Sequence, residues 1–197
     1  MTLDLILALA LFAFLMTITP GPNNVLLLAS GLSFGIKRTG WQISGILTGV
    51  MLQICLVGAG LGVVFAQEPR LQTALTLAGS LYMFWLAKKL WQAGKLQTAL
   101  VARPIRFYEA VIFQFLNPKT WLMAVTVISV FVPAGENYAM RVAGAGLIFN
   151  LVALPCICLW AVSGEMLRRW IENPLALQRV NRTMAVLACA MVLFFWI

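Results

Sequence analysis

Long apolar runs separated by short charged stretches dominate this chain. The first run extends from Leu3 to Ser33, the second from about Trp41 to Ala66 and the third from about Leu71 to Trp91. The fourth covers about Phe107 to Val132, the fifth about Tyr138 to Ser163 and the sixth about Val180 to Ile197. A helix that crosses a bilayer needs roughly 20 such residues. The pattern predicts an all-α membrane protein with six transmembrane helices. Two of the runs are interrupted. Thr19-Pro20-Gly21-Pro22-Asn23 breaks the first near its middle, and Asn117-Pro118-Lys119 breaks the fourth.

Composition strengthens the membrane reading. Of 197 residues 62% are hydrophobic and 10% charged, against about 25% charged in a soluble domain. A soluble fold of this size cannot hide that much apolar surface, so a lipid bilayer is the expected surrounding partner. The apolar N-terminus lacks a positive leading segment and carries Asp4. It is expected to be the first membrane helix and not a cleaved signal.

The net charge of +8 would raise nucleic acid as a partner in a soluble protein. Here the basic residues form no stripe with interleaved aromatics, so no nucleic-acid partner is expected. They sit in the gaps between runs. Lys37 and Arg38 fall in the first gap; Lys88, Lys89, Lys95, Arg103 and Arg106 in the third; Arg168, Arg169, Arg179 and Arg182 in the fifth. The second and fourth gaps hold Arg70 and Arg141 alone. The positive-inside rule puts the odd gaps in the cytoplasm and both termini outside.

The third gap, about 93–105, divides a single domain, 1–197, into halves of about 1–92 and 106–197. Aligned on Pro20 and Pro118, an offset of 98, the second run falls nearly onto the fifth, while the third stops several residues short of the sixth. Three helices per half require the halves to be inverted, the pattern of inverted repeats. Two half-chains of three helices can also align by length alone; the matched breaks favour the repeat.

The breaks carry the candidate chemistry. Proline removes a backbone donor and clashes with the preceding turn, and unsatisfied backbone groups in hydrocarbon cost several kcal/mol. Two prolines flanking Gly21, followed by Asn23 and Asn24, are more than a simple kink. They should expose N–H groups at the start of a second half-helix near Pro22 to Val25, which favours an anion such as a carboxylate. Lys119 lies a dozen or more residues from either end of its run, too deep to snorkel easily, and costs at least about 2.5 kcal/mol there. Its alternatives are an internal ion pair, a cargo carboxylate, freed carbonyls or deprotonation. The candidate binding residues are Thr19, Pro20, Gly21, Pro22, Asn23, Asn24, Asn117, Pro118 and Lys119.

Other features rank below these. Gln53, Asn150 and Gln114 are deep polar residues that often serve only to join helices. Glu109 and Glu165 lie near expected cytoplasmic ends, where hydration or pairing with Arg106 or Arg168 is the plainer reading than proton carriage. Gly45 with Gly49, and Gly58 with Gly62, predict close helix packing, within the chain or in a homodimer. Trp41, Trp91, Trp121, Trp160, Trp170 and Trp196 read as an interfacial belt. Cys55, Cys156, Cys158 and Cys189 lie in apolar runs and read as small hydrophobes. Histidine is absent. With no phosphate loop, zinc spacing or nucleophile–base pair, no catalytic residue, metal or cofactor is expected.

The Thr19 to Asn23 and Asn117 to Lys119 motifs, in a basic chain of about this length, resemble those of the LysE/RhtB amino-acid exporters. The resemblance covers essentially the whole chain. It implies export of an amino acid or close derivative across a bacterial cytoplasmic membrane by proton antiport. The chain is most similar to small members that export cysteine, O-acetylserine, threonine or homoserine. The wider superfamily includes membrane thiol-redox carriers of the DsbD type, which place reactive cysteines at such breaks. None of the four cysteines here is at either break, so a thiol-disulfide electron carrier using Cys156 and Cys158 is the second reading.

Overall fold

A computed structural model of the chain describes residues 1–62, 67–92, 103–170, 174–193 and 196. Among these, every regular element is helical. They are α1 (Leu3–Ile18), α2 (Pro22–Phe34), α3 (Ile36–Leu56) with a π-helical turn (Val57–Leu61), α4 (Pro69–Gln92), α5 (Phe107–Leu116), α6 (Pro118–Phe131), α7 (Tyr138–Trp170) and α8 (Pro174–Leu193).

Local chemistry sets the helix ends that matter. Thr19 is extended, as a residue before proline must tend to be, so α1 stops there. Pro22 occupies the first turn of α2, where its missing N–H is no loss. Gly35 has φ 78° and joins α2 to α3, a left-handed turn that favours glycine. Asn117 is extended before Pro118, ending α5 and beginning α6. The axes of α1 and α2 differ by 58°, and those of α5 and α6 by 75°.

The helices expose what a soluble protein would hide. On α1 the buried residues are Leu9, Ala13 and Thr17, while Leu3, Leu7, Leu11, Phe14 and Leu15 are exposed. Such an outer face suits hydrocarbon. Ile36–Leu61, 26 residues, and Tyr138–Trp170, 33 residues, are each long and apolar enough to cross a membrane, and counting each bent pair as one span raises the number to four. The helices α4 and α8, of 24 and 20 residues, have the length but are not among these.

Several expected boundaries move. The helix α3 begins at Ile36 and takes in Lys37 and Arg38; α7 runs on through Arg168 and Arg169; α8 takes in Arg179 and Arg182; α4 takes in Lys88 and Lys89. Lysine and arginine are good helix formers with long stems, so charge ends the apolar run without ending the helix. Lys95 and most of the expected 93–105 linker lie outside the described residues. So do residues 63–66 at the end of the expected second helix, residues 171–173 after α7, and residues 194, 195 and 197 at the end of the sixth.

The helix α7 packs against α1, α2 and α3, while α3 also packs on α5, and α4 pairs with α8. Small residues permit the tightest crossings. A Cβ on Gly31 of α2 would strike the Ala161 carbonyl of α7, and one on Gly164 of α7 would strike that of Leu28. Gly45 and Gly49 sit directly on Phe107, Ala110 and Gln114 of α5. That small-residue pair is therefore committed inside the chain. The helix α2 faces two apolar clusters, with Leu27 in one and Val25, Leu26 and Ala29 in the other. Its N-terminal end is thereby held in place for the site described next.

Candidate functional site

Where α1 stops, its last carbonyls lose their helical partners. Asn24, buried in α2, reaches back and donates Nδ2 to the Thr17 carbonyl at 2.8 Å and to that of Thr19 at 2.7 Å. Trp160 Nε1 donates to the Ile18 carbonyl at 3.3 Å. Where α5 stops, Thr120 Oγ1 lies 2.7 Å from the carbonyls of both Gln114 and Asn117. Gln53 Nε2 donates to the Gln114 carbonyl at 3.0 Å, and Trp121 Nε1 to that of Phe115 at 2.9 Å. Each break is thus satisfied by protein side chains, as the hydrocarbon setting demands.

This changes three expectations. Trp121 is buried and Trp160 partly so. Both hold freed carbonyls, whereas Trp41, Trp91, Trp170 and Trp196 are exposed, as a belt requires. Gln53 secures a break instead of merely joining helices. The freed carbonyls, one of the alternatives for Lys119, already have other donors. The signal that could have found these roles is the presence of indole and amide donors at apolar depth.

The two half-helix starts differ. On α6, Asn117 Oδ1 accepts from the backbone N–H of Lys119 at 3.1 Å, a self-supplied cap. On α2 the N-cap is Gly21, with no side chain to cap it. The backbone N–H groups of Asn23 and Asn24 lie in the first turn and have no intrahelical acceptor. The positive end of the α2 dipole is therefore open.

Lys119 projects from α6 to that open end. Its Nζ donates to Thr19 Oγ1 at 3.2 Å. A Cβ on Gly21 would come within 3.1 Å of the same nitrogen. Gly21 has φ −169°, ordinary extended backbone, so the effect of a side chain here is steric: it would crowd the movable end of Lys119. A fixed cation and an uncapped helix start thus meet at one point, brought together from the two halves of the chain.

A cleft of about 450 Å³, counting its mouth, opens over this point. Of the nine predicted residues, Gly21, Pro22, Asn23, Asn24, Asn117 and Lys119 line it. Thr19 meets it through the Lys119 ammonium, while Pro20 and Pro118 are not in the lining and act on the backbone geometry. The remaining wall is largely apolar, including Met16, Ile46, Val50, Met123, Phe149 and Ile157, with Asn150 from α7. Among the described residues no aspartate or glutamate belongs to it.

Two amides among the candidate binding residues already have partners. Asn23 and Gln114 form a reciprocal pair, Nδ2 to Oε1 at 2.7 Å and Nε2 to Oδ1 at 3.2 Å, and Asn117 Oδ1 is the cap described above. The acidic residues lie elsewhere. Glu109 takes Arg103 in a forked pair at 2.6 and 2.8 Å and the Arg106 backbone N–H at 2.8 Å. Glu165 accepts from the Ile36 N–H at 2.7 Å and pairs with Arg169 at 3.2 Å. The pairing side chains are therefore Arg103 and Arg169, in place of the expected Arg106 and Arg168. All four cysteines are free. Cys156 and Cys158 share helix α7 two positions apart, about 200° around its axis, which turns their thiols away from one another. Among the described residues no cluster could hold a metal ion.

Comparison with known proteins adds a family. A family model described as LysE type translocator matches residues 14–197. The chain is 28% identical over 196 residues, 99% of its own length and 100% of the relative's, to the cysteine/O-acetylserine efflux protein of Escherichia coli strain K12. The same figures hold for the proteins of that description in Escherichia coli O139:H28 (strain E24377A / ETEC) and Shigella flexneri. No solved structure matches the chain.

Proposed function

The chain belongs to the LysE type translocator family, and from that premise we propose that it exports a small amino acid, or a close derivative, with an uncharged side chain. The observation that carries this reading is the meeting of Lys119 with the uncapped start of α2. A carboxylate placed there receives the ammonium of Lys119 and the N–H groups of Asn23 and Asn24. The apolar remainder of the cleft suits a small neutral side chain. With no acidic residue among the described residues of the lining, a cationic side chain would meet the repulsion of Lys119. The names of the relatives, whose stated cargoes are small and neutral, agree with this choice.

The transporter works in a bacterial cytoplasmic membrane by proton antiport, with both termini outside. Each bent pair counts as one span, giving six helices in two inverted halves of about 1–92 and 106–197. The packing partners support this division. Contacts of α3 with α5 have their counterpart in α7 with α1, and those of α2 with α7 in α6 with α3. Rocking one half against the other would open the cleft to each side in turn.

The test is uptake of a panel of radiolabelled amino acids into everted vesicles, with and without a proton gradient. Lys119→Met should abolish gradient-driven uptake while the protein still inserts and elutes as a folded species in detergent. Uptake at the unsubstituted rate in that variant overturns the assignment of the site.

A further inference from the structure

Buried polar atoms in folded proteins nearly always have partners, so each exception asks for an explanation. Among the described residues four buried side-chain oxygens have none: Gln42 Oε1, Gln53 Oε1, Asn150 Oδ1 and Asn181 Oδ1. Gln42 borders a narrow crevice between Asn23, Tyr82 and Gln114 and is not in the cleft lining. Gln53 is engaged at the α5–α6 break through its nitrogen. Of the four residues, only Asn150 lines the cleft that holds Lys119.

The orientation of Asn150 is fixed by its other end. Its Nδ2 donates to the backbone carbonyl of Leu47 at 3.0 Å. A carbonyl can only accept, so the amide nitrogen must face α3 and Oδ1 must face away from it. Apart from Gln53 Oε1, which is not in the cleft lining, the competing acceptors at the breaks named above are already matched. The carbonyls of Thr17, Ile18, Thr19, Gln114 and Phe115 take side-chain donors, and the Asn23 and Asn117 amide oxygens take Gln114 and Lys119.

We infer that Asn150 Oδ1 is the acceptor for the α-ammonium of the cargo, and that Asn150 therefore selects amino acids over carboxylic acids lacking the amine. This assignment rests on the reading that the carboxylate lies at Lys119 and the start of α2. The cargo's two charged groups then have separate stations: its carboxylate on the α1–α2 and α6 side, its ammonium on α7, away from the like charge of Lys119. A site built to hydrogen-bond an N–H rejects an analogue without it far more strongly than an apolar wall rejects a missing methylene. The lone oxygen is also neutral, so it holds the ammonium without the strong ion pair that would slow release.

The experiment compares competition by L-cysteine and by its des-amino analogue, 3-mercaptopropionate, against labelled L-cysteine uptake into everted vesicles under reducing conditions. In the unsubstituted protein the analogue should compete at least about 100-fold less well. In Asn150→Leu the KM for cysteine should rise at least about tenfold, and the gap between the competitors should shrink to a few-fold. Asn150→Asp keeps an oxygen at that place and should retain the gap, although the second carboxylate oxygen it turns toward the Leu47 carbonyl should lower the yield of folded protein. Loss of the Asn150–Leu47 bond alone would slow all cargo equally and leave the ratio unmoved. An unchanged ratio in Asn150→Leu overturns the assignment; if that variant does not insert, Asn150→Ala decides by the same ratio. Failure of the unsubstituted protein to transport any amino acid in the panel overturns the export reading itself, a separate outcome.

Discussion

Replacing Gly31 with alanine adds one methyl group where α2 crosses α7. The new carbon would strike the Ala161 carbonyl oxygen and lie 2.9 Å from its carbon and 3.2 Å from the Ala161 Cα. Gly164 makes the reciprocal contact, with a Cβ 2.8 Å from Leu32 N and 2.9 Å from the Leu28 carbonyl carbon. Relaxed carbon contacts lie near 3.5–4.0 Å, so the helices must part by about 1 Å. All of these are backbone atoms, so no rotamer change relieves the clash. Overpacking of this kind costs about 1–3 kcal/mol, and helix propensity returns about 0.5–1 kcal/mol. The net loss is about 0–2.5 kcal/mol, or a Tm up to about 10 °C lower for a chain of this size. Gly40 and Gly144 are helical with nothing within 4 Å of an added Cβ; there the same substitution should leave Tm unchanged or raise it by about 2–4 °C. Thermal ramps read by size-exclusion of detergent-solubilised protein make the comparison. Because α2 carries the open helix start, Gly31→Ala should also lower transport below its unfolding temperature. Equal shifts of the same sign in Gly31→Ala and Gly40→Ala would refute the close crossing.

Two further outcomes follow from the breaks and the cysteines. Asn24→Leu leaves the Thr17 and Thr19 carbonyls without donors and should cost about 2–4 kcal/mol; Asn24→Asp, which turns a carboxylate toward the same carbonyls, should be at least as damaging, and the same thermal ramps would expose the error if both melt with the unsubstituted protein. Replacement of all four cysteines by alanine or serine should leave amino-acid uptake within about twofold, because none lines the cleft; loss of uptake in a folded cysteine-free protein would revive the thiol-redox reading.

The breaks were the part of the site most open to sequence reasoning. Proline, glycine and asparagine act on their own backbone, and a lysine deep in an apolar run is costly wherever the run packs. Pro20, Pro22, Asn117 and Lys119 could therefore be singled out without knowing what lies beside them. The supporting residues were not legible in the same way. Trp160 and Trp121 look like any membrane tryptophans until a freed carbonyl is seen at the indole N–H. Gln53 and Asn150 are similar deep amides in the sequence, each with an oxygen left over, yet one secures the α5–α6 break and the other lines the cleft. Asn23 and Asn117 suit a ligand by type, but each is matched within the protein.

By itself the sequence determined the solvent, the helical class and the places where the backbone must break. Those follow from composition, run length and the covalent limits of proline, which act within a few residues. The tertiary structure alone decided that Lys119 reaches Thr19, that α2 and not α6 presents an uncapped start, and which carbonyls already have donors. It also decided that helices continue through the basic residues expected to lie between them. These are pairings between groups far apart along the chain, set by how the helices cross, and crossing geometry depends on contacts such as Gly31 on Ala161 that no local pattern encodes.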